Sequence, residues 1–261
     1  MAQFTRSIVN PEVFKAPGHG SYRLRLGGFM LLADVIGLAA RNLEVMPGIE
    51  APGDLPHPLA SALKRIVDFL GSALGILVLA PFFTLIAILI KLDSPGPVLY
   101  TQPRIGIDGK RIRMYKFRTM VVNAEQELEK VFQENAELRA EWEQTQKLRE
   151  DPRITRIGKF LRKFSLDEFP QLLNVLLGDM SLVGPRPIMV DQVSVYGEAI
   201  HAYRAVRPGM TGLWQVSGRN QTTFRERSRF DVYYVRNWSV WLDAYILLRT
   251  IRVVLSHEGA Y

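Results

Sequence analysis

The stretch Phe69–Ile90, FLGSALGILVLAPFFTLIAILI, is an uncharged apolar run long enough to cross a bilayer hydrocarbon core, which needs about 20 such residues. Pro81 sits near its middle, where it removes a helical hydrogen bond and bends the helix. Lys64 and Arg65 precede the run and Lys91 follows it. Basic flanks favour the cytoplasmic side, so both ends are drawn to the same face. A helix that dips in, bends at Pro81 and returns meets both conditions. A tilted span with a tolerated proline is the plain alternative, and the residues leave the two open.

Around this run the chain reads as a mostly water-exposed body. Its mean hydropathy is +0.02, too low for a polytopic transporter. The net charge of +7 is unevenly spread. Asn123–Asp151 holds nine acidic and four basic residues, a net of −5, which leaves +12 on the rest. A basic body beside an apolar segment points to anionic lipid or phosphorylated substrates, and away from nucleic acid. The absence of cysteine excludes disulfides, thiolate nucleophiles and thiolate-ligated zinc. His19, His57, His201 and His257 are scattered and have no metal-ligand spacing. The polar start, interrupted by Pro11 and Pro17, does not read as a signal peptide, which predicts a body facing the cytoplasm.

Two regions follow. Residues 1–60 form a lead. In it Leu26–Ala40, apolar but for Asp34 and bracketed by Arg23, Arg25 and Arg41, is too short for a span and predicts an interfacial helix. Met46–Pro58 is a linker. Residues 61–261 form the main domain, with the hydrophobic helix over 64–91. Val98–Ile107 and Lys110–Thr119 predict two strands joined at Asp108-Gly109, a strong hairpin signal. Asn123–Glu150 predicts one charged amphipathic helix with Leu128, Val131, Phe132, Leu138 and Trp142 as its apolar stripe. Ile154–Phe164 alternates apolar positions with Arg156, Lys159, Arg162 and Lys163, a pattern suited to a headgroup layer. Trp238–Leu255 predicts a last helix whose Trp, Tyr and Arg residues suit a membrane–water boundary. The predicted class is α+β, mainly helical: a monotopic membrane protein with one re-entrant helix, a β-hairpin and amphipathic interfacial helices.

The chemistry concentrates in SLDEFPQLLNVLLGDMSLVGPRP, Ser165–Pro187. Asp167 and Glu168 are adjacent at an expected helix start, with Pro170 permitted in the first turn. A capping box from Ser165 to Glu168, or Asp167 as N-cap, would explain them structurally. The neighbours favour chemistry. Arg162 lies five residues upstream, and Asp179 sits in a short loop. Arg186 is braced between Pro185 and Pro187, which preorganises its guanidinium for a bidentate phosphate contact. Lys116 and Arg118 share a face if their stretch is a strand, and two cations there suit a diphosphate. Carboxylates with such cations form a plausible Mg²⁺–diphosphate site.

Four segments in order, KLDSPGPVLYTQPRIGIDGK, YKFRTM, SLDEFPQLLNVLLGDMSLVGPRP and RPGMTGLWQVSGR, resemble the bacterial sugar transferase family. These are monotopic polyprenyl-phosphate hexose-1-phosphate (phosphoglycosyl) transferases. The resemblance covers about Leu63 to Tyr261. It implies a UDP-hexose donor, a polyprenyl (usually undecaprenyl) phosphate acceptor and Mg²⁺ near Asp167, with Asp179 a second candidate ligand. It makes Asp167 the nucleophile that forms a phosphosugar–aspartyl intermediate with release of UMP. Glu168 would be its helper, and Arg162 and Arg186 phosphate contacts. Arg207 and Arg219 are further candidates for nucleotide or phosphate. The resemblance also favours the re-entrant form of the helix bent at Pro81. It implies a bacterial inner-membrane enzyme with its catalytic domain on the cytoplasmic face, beginning an exopolysaccharide or related glycan. The closing segments resemble members that transfer glucose or galactose phosphate. The family often has Ser before the kinking proline; here it is Ala80, so a hydroxyl that would satisfy carbonyls freed at the bend is missing. A non-catalytic membrane scaffold recruiting partners through Asn123–Glu150 is the alternative, and a homo-oligomer is left open.

Overall fold

The computed structural model describes residues 58–145, 148, 150–217 and 223–256. The expected helix Leu26–Ala40, most of the linker and Arg219 lie outside them. The described residues are mainly helical, with two small two-stranded sheets, as the α+β reading expected.

The hydrophobic run lies within α1, Pro58–Asp93, a 36-residue helix that continues through Pro81. Thr84 Oγ1 donates to the carbonyl of Ala80 at 3.0 Å. A hydroxyl therefore bonds the helix backbone next to Pro81, although position 80 carries none. The hairpin forms around Asp108-Gly109, but the connection is longer than the expected two residues: the paired strands stop at Ile105 and resume at Arg111, with a 3₁₀ turn over Ile107–Gly109 between them. Strands β1, Leu99–Ile105, and β2, Arg111–Phe117, pair antiparallel with Leu99 opposite Phe117 and Ile105 opposite Arg111. Asp108 (φ 56°) and Gly109 (φ 76°) both adopt the left-handed turn geometry.

The expected single helix over Asn123–Glu150 is corrected to two, α2, Ala124–Glu134, and α3, Ala136–Thr145. The break is at Asn135, whose Oδ1 accepts from the N–H groups of Glu137 and Leu138. An Asn side chain that caps its own successors competes with helix continuation. The apolar stripe survives across the break, since the Phe132 and Trp142 rings lie 6.1 Å apart.

Helix α4, Arg156–Lys163, is capped by Thr155, whose hydroxyl accepts from Gly158 N. A 3₁₀ turn, Leu166–Glu168, and α5, Gln171–Leu177, follow. Strand β3, Ser181–Val183, pairs in parallel with β4, Gly209–Thr211. Two short helices, α6 (Val193–Tyr196) and α7 (Ala199–Arg204), separate those strands. The described chain closes with α8, Leu213–Ser217, α9, Phe224–Arg236, and α10, Val240–Ser256. Thr223 and Glu226 form a reciprocal capping box at α9.

Both arms of α1 dock on this body. Near its start Lys64 pairs with Asp243 at 2.6 Å. Arg65 donates to the carbonyls of Val175 and Leu176, satisfying groups that the end of α5 leaves open. Asp68 Oδ1 accepts from Leu182 N. Near its end Ile86 and Ile90 pack with Phe117 and Leu161, and Asp93 accepts from Ile157 N. Between the arms Leu77 is 73% and Val78 66% exposed. An apolar stretch that leaves such side chains uncovered in the fold calls for another apolar phase.

Candidate active site

The carboxylate pair is placed by strain rather than by a cap. Ser165 has φ 55° and makes no side-chain cap bond, so the capping-box explanation is overturned. A non-glycine residue in the left-handed region is uncommon and stores on the order of 1–3 kcal/mol. Here it ends α4 sharply and turns Leu166–Glu168 towards β2. Pro170 is the N-cap of α5 rather than part of its first turn.

Lys116, on β2, meets both acids. Its Nζ lies 2.8 Å from Glu168 Oε1 and 3.6 Å from Asp167 Oδ2. Arg186 Nη2 approaches the same Glu168 oxygen at 3.1 Å. Asn174 fixes the registry between strand and turn, since its Oδ1 accepts from Tyr115 N and its Nδ2 donates to Arg113 O. Arg162 donates from Nε to Thr119 Oγ1 at 2.9 Å and acts electrostatically on Asp167.

The two acids are electrostatically unlike. Burial raises the Asp167 pKa above the usual carboxylate range, against the opposing charge of Lys116. Burial acts on Glu168 in the same sense, but Arg186 and Lys116 outweigh it and hold its carboxyl well below that range. Groups whose surroundings push their pKa values apart carry different roles. Asp167 is therefore the more basic of the two carboxylates. Glu168 is a weak base and an organiser of cations.

A cavity of about 1200 Å³ holds Asp167, Glu168, Lys116, Arg162 and Arg186 in its wall. Arg118 also borders it, but its guanidinium donates to the carbonyls of Ser94 and Pro95, both at 2.6 Å. Strand β2 ends at Phe117, so Arg118 does not share the ammonium's environment and ties the end of α1 to the hairpin. Arg207 donates to Gly178 O and is not in the cavity wall. Asp179 reaches Asn174 Nδ2 at 3.5 Å and is also outside that wall. Of the two expected magnesium ligands, Asp167 alone lies in that wall. Among the described residues no group of three or more His, Cys, Asp or Glu could hold a metal. Asp167 alone, with a substrate diphosphate, still fits the ligand set Mg²⁺ commonly takes.

The structure also recruits residues that sequence reading passed over. Arg227 Nη2 donates to Arg186 O at 2.7 Å and stacks over Trp214 at 4.9 Å, so it holds the Pro-Arg-Pro turn from behind. Asp231, 3% exposed, accepts from the Tyr196 hydroxyl at 2.7 Å, and burial pushes its carboxyl up to about 7. Arg104 lies near Arg186 and Arg227, and burial and those two charges lower its pKa to about 10. Nothing in their spacing marks these residues, because they meet only through long-range packing.

Carboxylates set among Lys and Arg, with a long apolar helix packed on the same body, have the chemistry that a phosphate-bearing ligand needs. The chain belongs to the bacterial sugar transferase family, which matches residues 59–257. It is 50% identical over 199 residues to an uncharacterized sugar transferase of Haemophilus influenzae (76% of this chain, 42% of that protein). It is 47% identical, with the same coverage, to the undecaprenyl-phosphate galactose phosphotransferase of Salmonella typhimurium. It is 44% identical over 205 residues to the exopolysaccharide production protein ExoY of Rhizobium meliloti (78% of this chain, 91% of that protein). The chain thus spans less than half the length of the first two relatives and nearly all of the third.

Proposed function

We propose that the protein transfers a hexose-1-phosphate from a UDP-sugar to undecaprenyl or a related polyprenyl phosphate. The observation that carries this reading is Asp167, raised in pKa, beside Lys116 and Arg162 in the wall of one cavity. The name of the Salmonella relative supports the acceptor and the transferred sugar phosphate, and that of the Rhizobium relative supports a place in exopolysaccharide production.

In the proposed reaction an Asp167 oxygen attacks the sugar-bearing phosphorus. An O–P bond forms as the bond to the other phosphate breaks, and UMP leaves with that electron pair. An oxygen of the lipid phosphate then attacks the same phosphorus and expels the Asp167 carboxylate, giving the lipid diphosphate sugar. Splitting one displacement in two is the usual gain of a covalent intermediate. Arg162 and Lys116 stabilise charge on the transferred phosphate, and Arg186 does so while it positions Glu168. Glu168 orients the incoming phosphate through its cations rather than by taking a proton. Asp167, together with the donor diphosphate, would hold Mg²⁺, which would supply charge neutralisation.

The same reading places α1 as a re-entrant helix in the bacterial inner membrane, with the domain on the cytoplasmic face. Both ends of α1 are held to one body by Lys64 and Asp93, and the basic residues Lys64, Arg65 and Lys91 flank its apolar run on both sides, which supports entry and return on one side. The test is incubation of detergent-solubilised protein with UDP-hexose, Mg²⁺ and polyprenyl phosphate. UMP release that Asp167→Asn abolishes is expected, and full activity in that variant would falsify the assignment. A screen across UDP-sugars identifies the sugar.

A further inference from the structure

The cavity wall also carries residues that phosphate chemistry does not use, among them Leu182, Met210, Trp214, Leu247, Thr250 and Val254. The hydroxyl of Thr250 is satisfied there, bonding Thr211 Oγ1 at 2.7 Å and the carbonyl of Ile246. A single ligand pocket is commonly about 300–1000 Å³, and this cavity is larger.

Helix α10 divides into three sectors at about 100° per residue. Leu242, Tyr245, Ile246 and Val253 are buried in the body. Leu247, Thr250 and Val254 form the next sector and line the cavity. Val240, Ile251, Leu248 and Trp241 form the third, and they are 48–74% exposed. The cavity wall therefore continues around the helix into an uncovered apolar lip. A polar headgroup site that opens onto such a ramp suits a ligand that is an anion at one end and a hydrocarbon at the other.

We infer that the Met210, Trp214, Leu247 and Val254 wall is the subsite for the first isoprene units of the lipid acceptor, and that α10 is the ramp by which the chain enters from the membrane. The inference rests on the proposed reaction for the identity of the lipid. Two substrates must reach one carboxylate. The cationic side chains take the diphosphate, and the chain of the acceptor is left the apolar side chains of the same wall.

The test uses the full chain and two readouts. The first compares Leu247→Trp and Val254→Trp with Leu248→Trp, which lies on the exposed sector. Filling the subsite raises the KM for undecaprenyl phosphate at least tenfold, and that effect exceeds any change in the exchange of labelled UMP into UDP-hexose by a similar factor. Geranyl phosphate, with only two isoprene units, reaches less of the wall and shows a smaller rise. An unchanged acceptor KM, or equal loss of exchange and transfer, overturns the subsite. The second readout needs no turnover. A diazirine-bearing polyprenyl phosphate on Asp167→Asn labels α10 and Met210-containing peptides. Labelling elsewhere, or competition by phospholipid as effective as by undecaprenyl phosphate, also overturns it. Absence of exchange in the unaltered protein, with labelling of α10 retained, counts against the aspartyl reaction and not against the subsite.

Discussion

Lys116 Nζ and Glu168 Oε1 lie 2.8 Å apart, joined across 52 positions of sequence, and the same ammonium stands 3.6 Å from Asp167. One strand side chain thereby couples two acids of opposite character. Glu168→Gln leaves Lys116 and Arg186 without their shared carboxylate. Removing one partner of a largely buried ion pair costs about 3 kcal/mol, so the thermal midpoint at neutral pH falls. Because the Glu168 pKa is depressed in the folded protein, its contribution is present above the unfolded value, about 4.3, and is lost only as pH falls through the lower folded value. The gap between the two proteins therefore closes in strong acid, and a gap that persists there contradicts the assignment.

Asp167→Asn should be inactive and yet more stable. The raised pKa means that the native state favours the protonated form. Ionisation costs stability as pH rises from the unfolded value, about 3.9, through the folded one, and a neutral amide removes that cost. A higher midpoint at pH 7, with no UMP release, is the expected pair of results; a lower midpoint contradicts the burial argument.

The acid limb of the UMP-release profile should lie above the ordinary carboxylate range, since attack requires ionised Asp167. Lys116 is the main charge that opposes the rise. Lys116→Met should move the acid limb further up in pH as well as slow the reaction. A limb that stays in place would assign the titration to another group.

Gly158→Ala tests how α4 is seated. A Cβ there would stand 2.1 Å from the Thr119 carbonyl oxygen, next to the hydroxyl that Arg162 grips. Alanine favours a helix over glycine by about 1 kcal/mol, but the clash is with backbone and cannot be relieved by a rotamer. Both the thermal midpoint and the rate should fall; a more stable, active variant would mean that the helix can shift freely.

Arg118 and Arg186 should separate in kinetics. Arg118→Ala strips two carbonyls of their donor, and a buried unsatisfied group costs about 1–3 kcal/mol, so stability falls while the donor KM changes less than about twofold. Arg186→Ala should raise the donor KM. The reverse pattern would return Arg118 to the phosphate site.

Local pattern carried much of this protein. The charge-free run with Pro81, the Asp108-Gly109 turn, and the acids and Arg186 of Ser165–Pro187 are all readable within short windows, because helix length, turn chemistry and side-chain type are local properties. The break at Asn135 was legible only in principle, since an Asn inside an amphipathic repeat caps or not according to what its helix packs on. The tertiary structure decided which cations serve the acids. Lys116 and Arg118 are two apart in sequence, yet one meets Glu168 and the other the carbonyls of Ser94 and Pro95, because β2 ends between them. Arg227 reaches the Arg186 backbone from α9 only through packing. The unequal pKa values of Asp167 and Glu168 follow from burial and from charges brought in from distant strands and loops, and the order of residues along the chain does not contain them.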